Sequence, residues 1–178
     1  MIIANSVKKE TYIPLQPLTS SNQFNQQEPP KEPNSIDHVT IHPRARGQND
    51  MMTQVFGETN VLNTKVNESL SITLSASTIS NLTCEAFILN QTVFLSSPFA
   101  GTGLLDWADG EFQSCITHLI ELAEEKTGCT ALVVILDRSL FKDSLSTMLR
   151  AFMYLGFEMI DPAVYGQEPG YILVGYEL

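Results

Sequence analysis

Nearly half of the first 80 residues, 37 of them, are Ser, Thr, Asn, Gln or Pro, and only three aromatics, Tyr12, Phe24 and Phe56, fall in that stretch. Ordering a backbone costs roughly 1–2 kcal/mol per residue, and so little apolar surface does not offset that cost. The sequence therefore predicts a disordered tail over residues 1–65 and a folded domain over 66–178. Charge divides in a similar way. Of 20 acidic and 10 basic residues, 7 and 6 lie in the first 80, which leaves 13 and 4, a balance of −9, for the remainder. Acidity, aliphatic side chains and aromatics all concentrate in the C-terminal part.

With a pI near 4.6 the chain lacks the Lys/Arg footprint that neutralises phosphates, so nucleic acid and anionic membranes are poor partners for it. A basic protein surface is the natural complement. The N-terminal Met1-Ile2-Ile3-Ala4-Asn5 breaks off before an apolar signal core forms, and the longest aliphatic run, Ala131 to Leu136, is too short to cross a bilayer. These features predict a soluble intracellular protein without membrane insertion. Cys84, Cys115 and Cys129 share no C-x-x-C spacing, which points to reduced thiols and away from a zinc or redox pair.

Hydrophobic periodicity predicts the elements of the folded part. Leu70, Ile72 and Leu74 alternate with polar residues as in a strand, and the runs 84–89 and 92–97 flank Asn90-Gln91 as in a hairpin. Phe112, Ile116, Leu119, Ile120 and Ala123 form one helical stripe over about 110–126, with Asp109 placed to cap its start and Gly128 its end. Ala131 to Leu136 reads as a strand buried on both faces. A second helix, capped by Ser139 and stopped by Gly156, would turn Leu145, Met148, Leu149 and Phe152 inward. Strands at 157–160 and 170–177, joined by a Pro/Gly-containing loop, complete an α+β domain: a mixed sheet with two main helices.

Little in this sequence suggests catalysis. Cys115, His118 and Glu121 are spaced to share a helix face, but the domain offers no second histidine to complete a metal site or a triad, so His118 reads as structural. His38 and His42 receive no role. Gly101-Thr102-Gly103 lacks a Lys-Ser/Thr and any basic residue, and reads as a turn. No G-x-S-x-G elbow occurs. No cofactor, metal or catalytic residue is expected. The glutamates are more informative. Glu121, Glu124 and Glu125 crowd one helix face near its C-terminal end, where i+3 and i+4 repulsion and the helix dipole both disfavour acid groups. Such a cluster is either a solvated face or a landing surface for a Lys/Arg patch.

Two segments carry a family resemblance. Leu119-Ile120-Glu121-Leu122-Ala123-Glu124-Glu125 resembles the L-L-E-F-A-E-E segment of the ornithine decarboxylase antizymes, and 148–162 resembles that family's L-L-R-T-F-x-F-L-G-F-E-I-V-x-P, with an aliphatic strand between the two as in the family. The likeness covers about residues 82–178. It implies a non-catalytic protein with an acyl-CoA N-acyltransferase-like sheet, cytoplasmic and also nuclear. Such a protein binds the decarboxylase subunit as a heterodimer, prevents its homodimerisation and delivers it to the proteasome without ubiquitin. It also restrains polyamine uptake, and in the family polyamines promote the ribosomal frameshift needed for synthesis.

By the same resemblance Glu121, Glu124, Glu125, Arg138 and Ile160 are the partner-binding residues. Leu155-Gly156-Phe157 matches a helix-ending turn. Two departures fit a diverged member, for example a fungal one: Gln113 stands for a contact Lys before the first helix, and Pro162-Ala163-Val164-Tyr165 replaces Pro-Gly-His-Pro. Two alternatives stay open at this stage. One is an acyl-CoA N-acyltransferase, although its Arg/Gln-x-x-Gly-x-Gly/Ala loop meets Pro98 three residues before Gly101; the other is an acidic adaptor for a different basic partner.

Overall fold

The computed structural model describes residues 37–74, 82–97 and 110–178. In chain order these form β1 (His38–Pro43), α1 (Met51–Phe56), α2 (Val61–Lys65), β2 (Glu68–Leu74), β3 (Leu82–Leu89), β4 (Thr92–Ser96), α3 (Glu111–Thr127), β5 (Ala131–Asp137), α4 (Arg138–Phe141), α5 (Leu145–Tyr154), β6 (Glu158–Met159), α6 (Pro162–Tyr165) and β7 (Tyr171–Glu177). These strands make one seven-stranded sheet in the order β1-β2-β3-β4-β5-β7-β6. Neighbours run antiparallel except β4 and β5, which are parallel, with Thr92 opposite Ala131 and Ser96 opposite Ile135. A parallel pair needs a crossover, and the segment containing α3 supplies it. The mixed α+β class read from the sequence is the class observed.

The aliphatic run forms β5 and serves two cores. Leu132, Val134 and Leu136 join Ile116 and Leu119 of α3 and Met148 and Phe152 of α5 on one face. Val133 and Ile135 point to the other, joining Met52, Val55 and Phe56 of α1 and Phe87 and Phe94 of the hairpin. Apolar residues on both phases of a two-residue repeat are what double-sided burial requires. On the second face Phe87 and Phe94 stack at 4.9 Å, and Phe56 meets each edge-on.

The hairpin turns at Asn90-Gln91 with φ of 51° and 62°, the pair of positive values that a tight turn between twisted strands needs. Gln91 occupies this conformation without being glycine, and Thr130 N–H donates to its carbonyl at 2.9 Å. Helix α3 ends as the sequence predicts, with Gly128 left-handed at φ 67°. Its other end is flanked by Gly110, and Asp109 lies outside the described residues. Helix α5 stops where Phe157 N–H reaches back to Phe152 O at 3.1 Å across Gly156, the αL end read from Leu155-Gly156-Phe157.

Three expectations are corrected. Ser139 does not cap the second helix: Asp137 caps the short α4 by accepting from Ser139 N–H at 2.9 Å, and α5 starts only at Leu145, after a 3₁₀ turn at Lys142–Ser144. The loop expected before the last strand contains α6, whose first turn Asp161 caps through Ala163 N–H at 2.8 Å. The third concerns the tail. Residues 37–65 contain β1, α1 and α2, so regular structure begins well before the expected boundary at 65. The expectation for residues 1–36 lies outside the described residues.

A buried arginine explains how this polar stretch folds. The Arg44 side chain, 1% exposed, ion-pairs with Asp50 and donates to Asn63 O at 2.7 Å and Val66 O at 2.8 Å. Arg46 donates to the same two carbonyls at 2.9 Å each. The Asn63 side chain accepts from Arg44 and donates to Gly57 O at 2.8 Å, so β1, α1 and α2 are tied at one point. Replacing Arg44 with Ala would strand the Asp50 carboxylate, 8% exposed, without its cation. Loss of about 3–5 kcal/mol in urea unfolding is the expected result; a loss below about 1 kcal/mol would show that the clasp is dispensable.

Candidate functional site

Helix α3 lies on the first core through Phe112, Cys115, Ile116, Leu119, Leu122 and Ala123. Residues off that stripe must face outward, and Glu121, Glu124 and Glu125 are all exposed. Among the described residues none of the three forms a hydrogen bond through its side chain or an ion pair, and Lys126 gives them none. Their mutual repulsion and their position at the negative end of the helix dipole therefore go unrelieved by any described residue. Gln113, which stands for the family's contact Lys, sits in the first turn of the helix and is exposed.

Arg138 and Ile160 come together elsewhere. Both line a recess of about 400 Å³, with Met159, Pro162, Gln167 and Ile172 among its other walls. Ile160 leaves the short β6 with its N–H donated to Leu173 O at 2.9 Å, and its Cδ1 lies only 2.9 Å from where a Cβ on Gly175 would stand. Gly175 thus makes the room in which Ile160 sits. Arg138 opens α4 with its backbone N–H donated to Gly170 O at 2.9 Å, while its side chain reaches solvent. Tyr171 borders the same recess, and its phenol is pushed up from its usual value by burial and then by Asp137 nearby.

The expected site residues thus form two groups. The glutamates lie near the end of α3 that leads into β5, and Arg138 follows the other end of that strand, about 20 Å away at ~3.3 Å per residue. The groups also serve different faces, because Ile160 packs on the second core and α3 on the first. Gly175 and Gln167 had no signal in the sequence, since both owe their importance to contacts with distant segments.

Cys115, His118 and Glu121 do not converge. Cys115 is buried, Glu121 points outward, and the half-exposed His118 pairs through Nε2 with Asp37 at 2.5 Å. That pair ties α3 to the residue preceding β1, which agrees with a structural histidine. Burial pushes the Cys84 thiol up to about 12, with Cys115 nearby adding to it, and the Cys115 thiol up to about 11, with Glu111 adding to it, so both stay protonated and unreactive at neutral pH. Among the described residues no group of three or more His, Cys, Asp or Glu could hold a metal ion. The 101–103 turn lies outside the described residues.

Exposed charge without a partner among the described residues at one end of β5, an apolar recess at the other and no candidate metal cluster among those residues are the features of a surface suited to recognition. A family model described as ornithine decarboxylase antizyme matches residues 55–178, well over half of the chain. The chain belongs to that family, whose members are non-catalytic inhibitors acting in polyamine metabolism through protein–protein contacts. No curated protein matches it.

The buried thiols carry a pH dependence. Their folded values lie above the ordinary 9.0, so their contribution to stability is complete below pH 9 and is lost as pH rises toward 11 and 12; the raised Tyr171 acts in the same direction. The urea midpoint should hold level to about pH 8.5 and fall above pH 9, and the fall should be shallower when Cys84 and Cys115 are both Ala. A midpoint unchanged at pH 11 would contradict this assignment.

Proposed function

We propose that this chain binds the ornithine decarboxylase subunit in a one-to-one heterodimer, occupies the face through which that enzyme pairs with itself, and marks it for proteasomal degradation without ubiquitin. The observation that carries this reading is the set of three exposed carboxylates on α3 with no cation paired to them among the described residues, in a chain of the antizyme family. Charges held out on a packed helix steer a basic surface toward the module. Arg138 and Ile160 add a second contact, with Ile160 burying against the partner.

We also take the sheet to be of the acyl-CoA N-acyltransferase type. Its support is the antiparallel run β1 to β4, the parallel step to β5 across α3, and the return of β7 between β5 and β6. Fold of this kind does not bring transferase activity with it. A cytoplasmic and nuclear location and a restraining effect on polyamine uptake follow the family in the same reading, and the segment before β1 would be available to the proteasome.

Titrating purified decarboxylase with this chain should abolish activity near equimolar ratio. Full turnover at a large excess would reject the proposal. Glu121→Lys with Glu125→Lys should weaken the complex by about 2–5 kcal/mol if the carboxylates are desolvated on binding, measured by calorimetry with an unchanged melting temperature for the free chain. Retained affinity would remove these carboxylates from the contact, and no affinity of the unsubstituted chain would move the function to an adaptor for some other basic partner.

A further inference from the structure

We propose that Gln167 forms the floor of a socket for a tyrosine or tryptophan of the partner subunit, the ring held between apolar walls and its one O–H or N–H donated to the Gln167 side-chain oxygen. This rests on the proposed heterodimer and specifies what one end of its interface receives.

Gln167 is more than nine-tenths buried, yet its Oε1 has no hydrogen-bond partner, the one such buried side-chain atom among the described residues. A buried carbonyl left unpaired is costly. The surrounding backbone is held too firmly to relieve it: Glu168 N–H donates to Val55 O at 2.7 Å, Gly166 N–H to Pro162 O at 2.7 Å, and Tyr171 N–H to Glu168 O at 3.1 Å. Asn60 Nδ2 donates to Tyr165 O at 2.9 Å from the other side. Oε1 is enclosed, and rotation about the terminal torsion of glutamine is soft, so a half-turn when a donor arrives presents the oxygen to the recess and places the NH2 where the oxygen was.

The recess selects the donor. Met159, Ile160, Pro162, Pro169 and Ile172 make its walls apolar, and Met159 is left 53% exposed. Arg138 and Glu168 contribute one charge of each sign to the same recess, so it offers a neutral group no net repulsion. A carboxylate has no proton to donate, and an ammonium or guanidinium would give up its hydration among the apolar walls. An aliphatic side chain leaves Oε1 unpaired, and Ser, Thr or Asn leaves most of the 400 Å³ empty. Tyr and Trp combine an apolar body with a polar tip, and are the side chains most often found as buried interface anchors.

The test measures two quantities on the full chain: affinity for purified decarboxylase by calorimetry, and the melting temperature of the free chain. Gln167→Met keeps the length and removes the acceptor. Affinity should fall roughly tenfold, about 1.4 kcal/mol, while the melting temperature holds or rises, because an unpaired buried oxygen has gone. Unchanged affinity, or loss of stability together with affinity, overturns the socket and leaves the heterodimer standing. In parallel, N-acetyltyrosinamide should shift the Gln167 side-chain amide resonance of the wild-type chain more than N-acetylphenylalaninamide does; equal or absent shifts overturn the socket directly. If the wild-type chain does not bind the decarboxylase at all, the heterodimer falls, and with it the assignment of the socket to that partner, whatever the tyrosine probe does.

Discussion

Burial of β5 on both faces is the constraint on which the other features depend. A strand that must lose water on two sides needs a layer above and another below, and the chain supplies them from different parts of the sequence. Helices α3 and α5, which flank β5, cover the first face, while α1 and residues of the hairpin, all N-terminal to it, fill the second. The strand also fixes positions along its length. Its parallel pairing with β4 and antiparallel pairing with β7 leave the glutamates of α3 near one end and Arg138 at the other.

What could be read from the sequence follows from how local each cause is. Helix α3 was legible because a period of 3.6 runs through it without interruption, β5 because its aliphatic run is unbroken between polar residues, and the hairpin because two short apolar runs flank Asn90-Gln91. The outward direction of Glu121, Glu124 and Glu125 was legible for the same reason: a residue off the apolar stripe has nowhere else to go. The first two helices were not. At six and five residues they are too short to be stable alone, and the Ser, Thr and Asn content around them mimics a tail. Phe56, counted as one of too few aromatics, is 2% exposed because Phe87 and Phe94 come to it from the hairpin. Asp137 displaced Ser139 as a cap because the chain turns sharply out of the strand, leaving Ser139 inside the helix rather than before it.

In the proposed complex the two groups of site residues divide the work. Exposed carboxylates influence the rate of encounter and the choice of partner more than the final affinity, whereas an apolar recess with an unpaired acceptor contributes once water has left. A standard interface buries about 800 Å² on each partner, a patch roughly 30 Å across, so one partner can span the length of β5. Reaching both groups still requires the partner to pass around an end of the sheet, because Ile160 and α3 pack on opposite faces. That geometry favours a partner with a concave or two-lobed surface over a flat one.

The recess and the Arg44 clasp are parts of one mechanical unit. Arg44 holds Asp50 at the start of α1 and Asn63 in α2. Those helices in turn hold the segment after α6, through Val55 O to Glu168 N–H and Asn60 to Tyr165 O, while Tyr165 meets Phe94 edge-on at 4.9 Å. Gln167 stands between these anchors, so its unpaired oxygen persists because the polar N-terminal elements deny the loop any room to turn. The recess near the C-terminus is thereby held in shape by residues more than a hundred positions earlier. The stretch that looked least able to fold is the one that keeps the recess open.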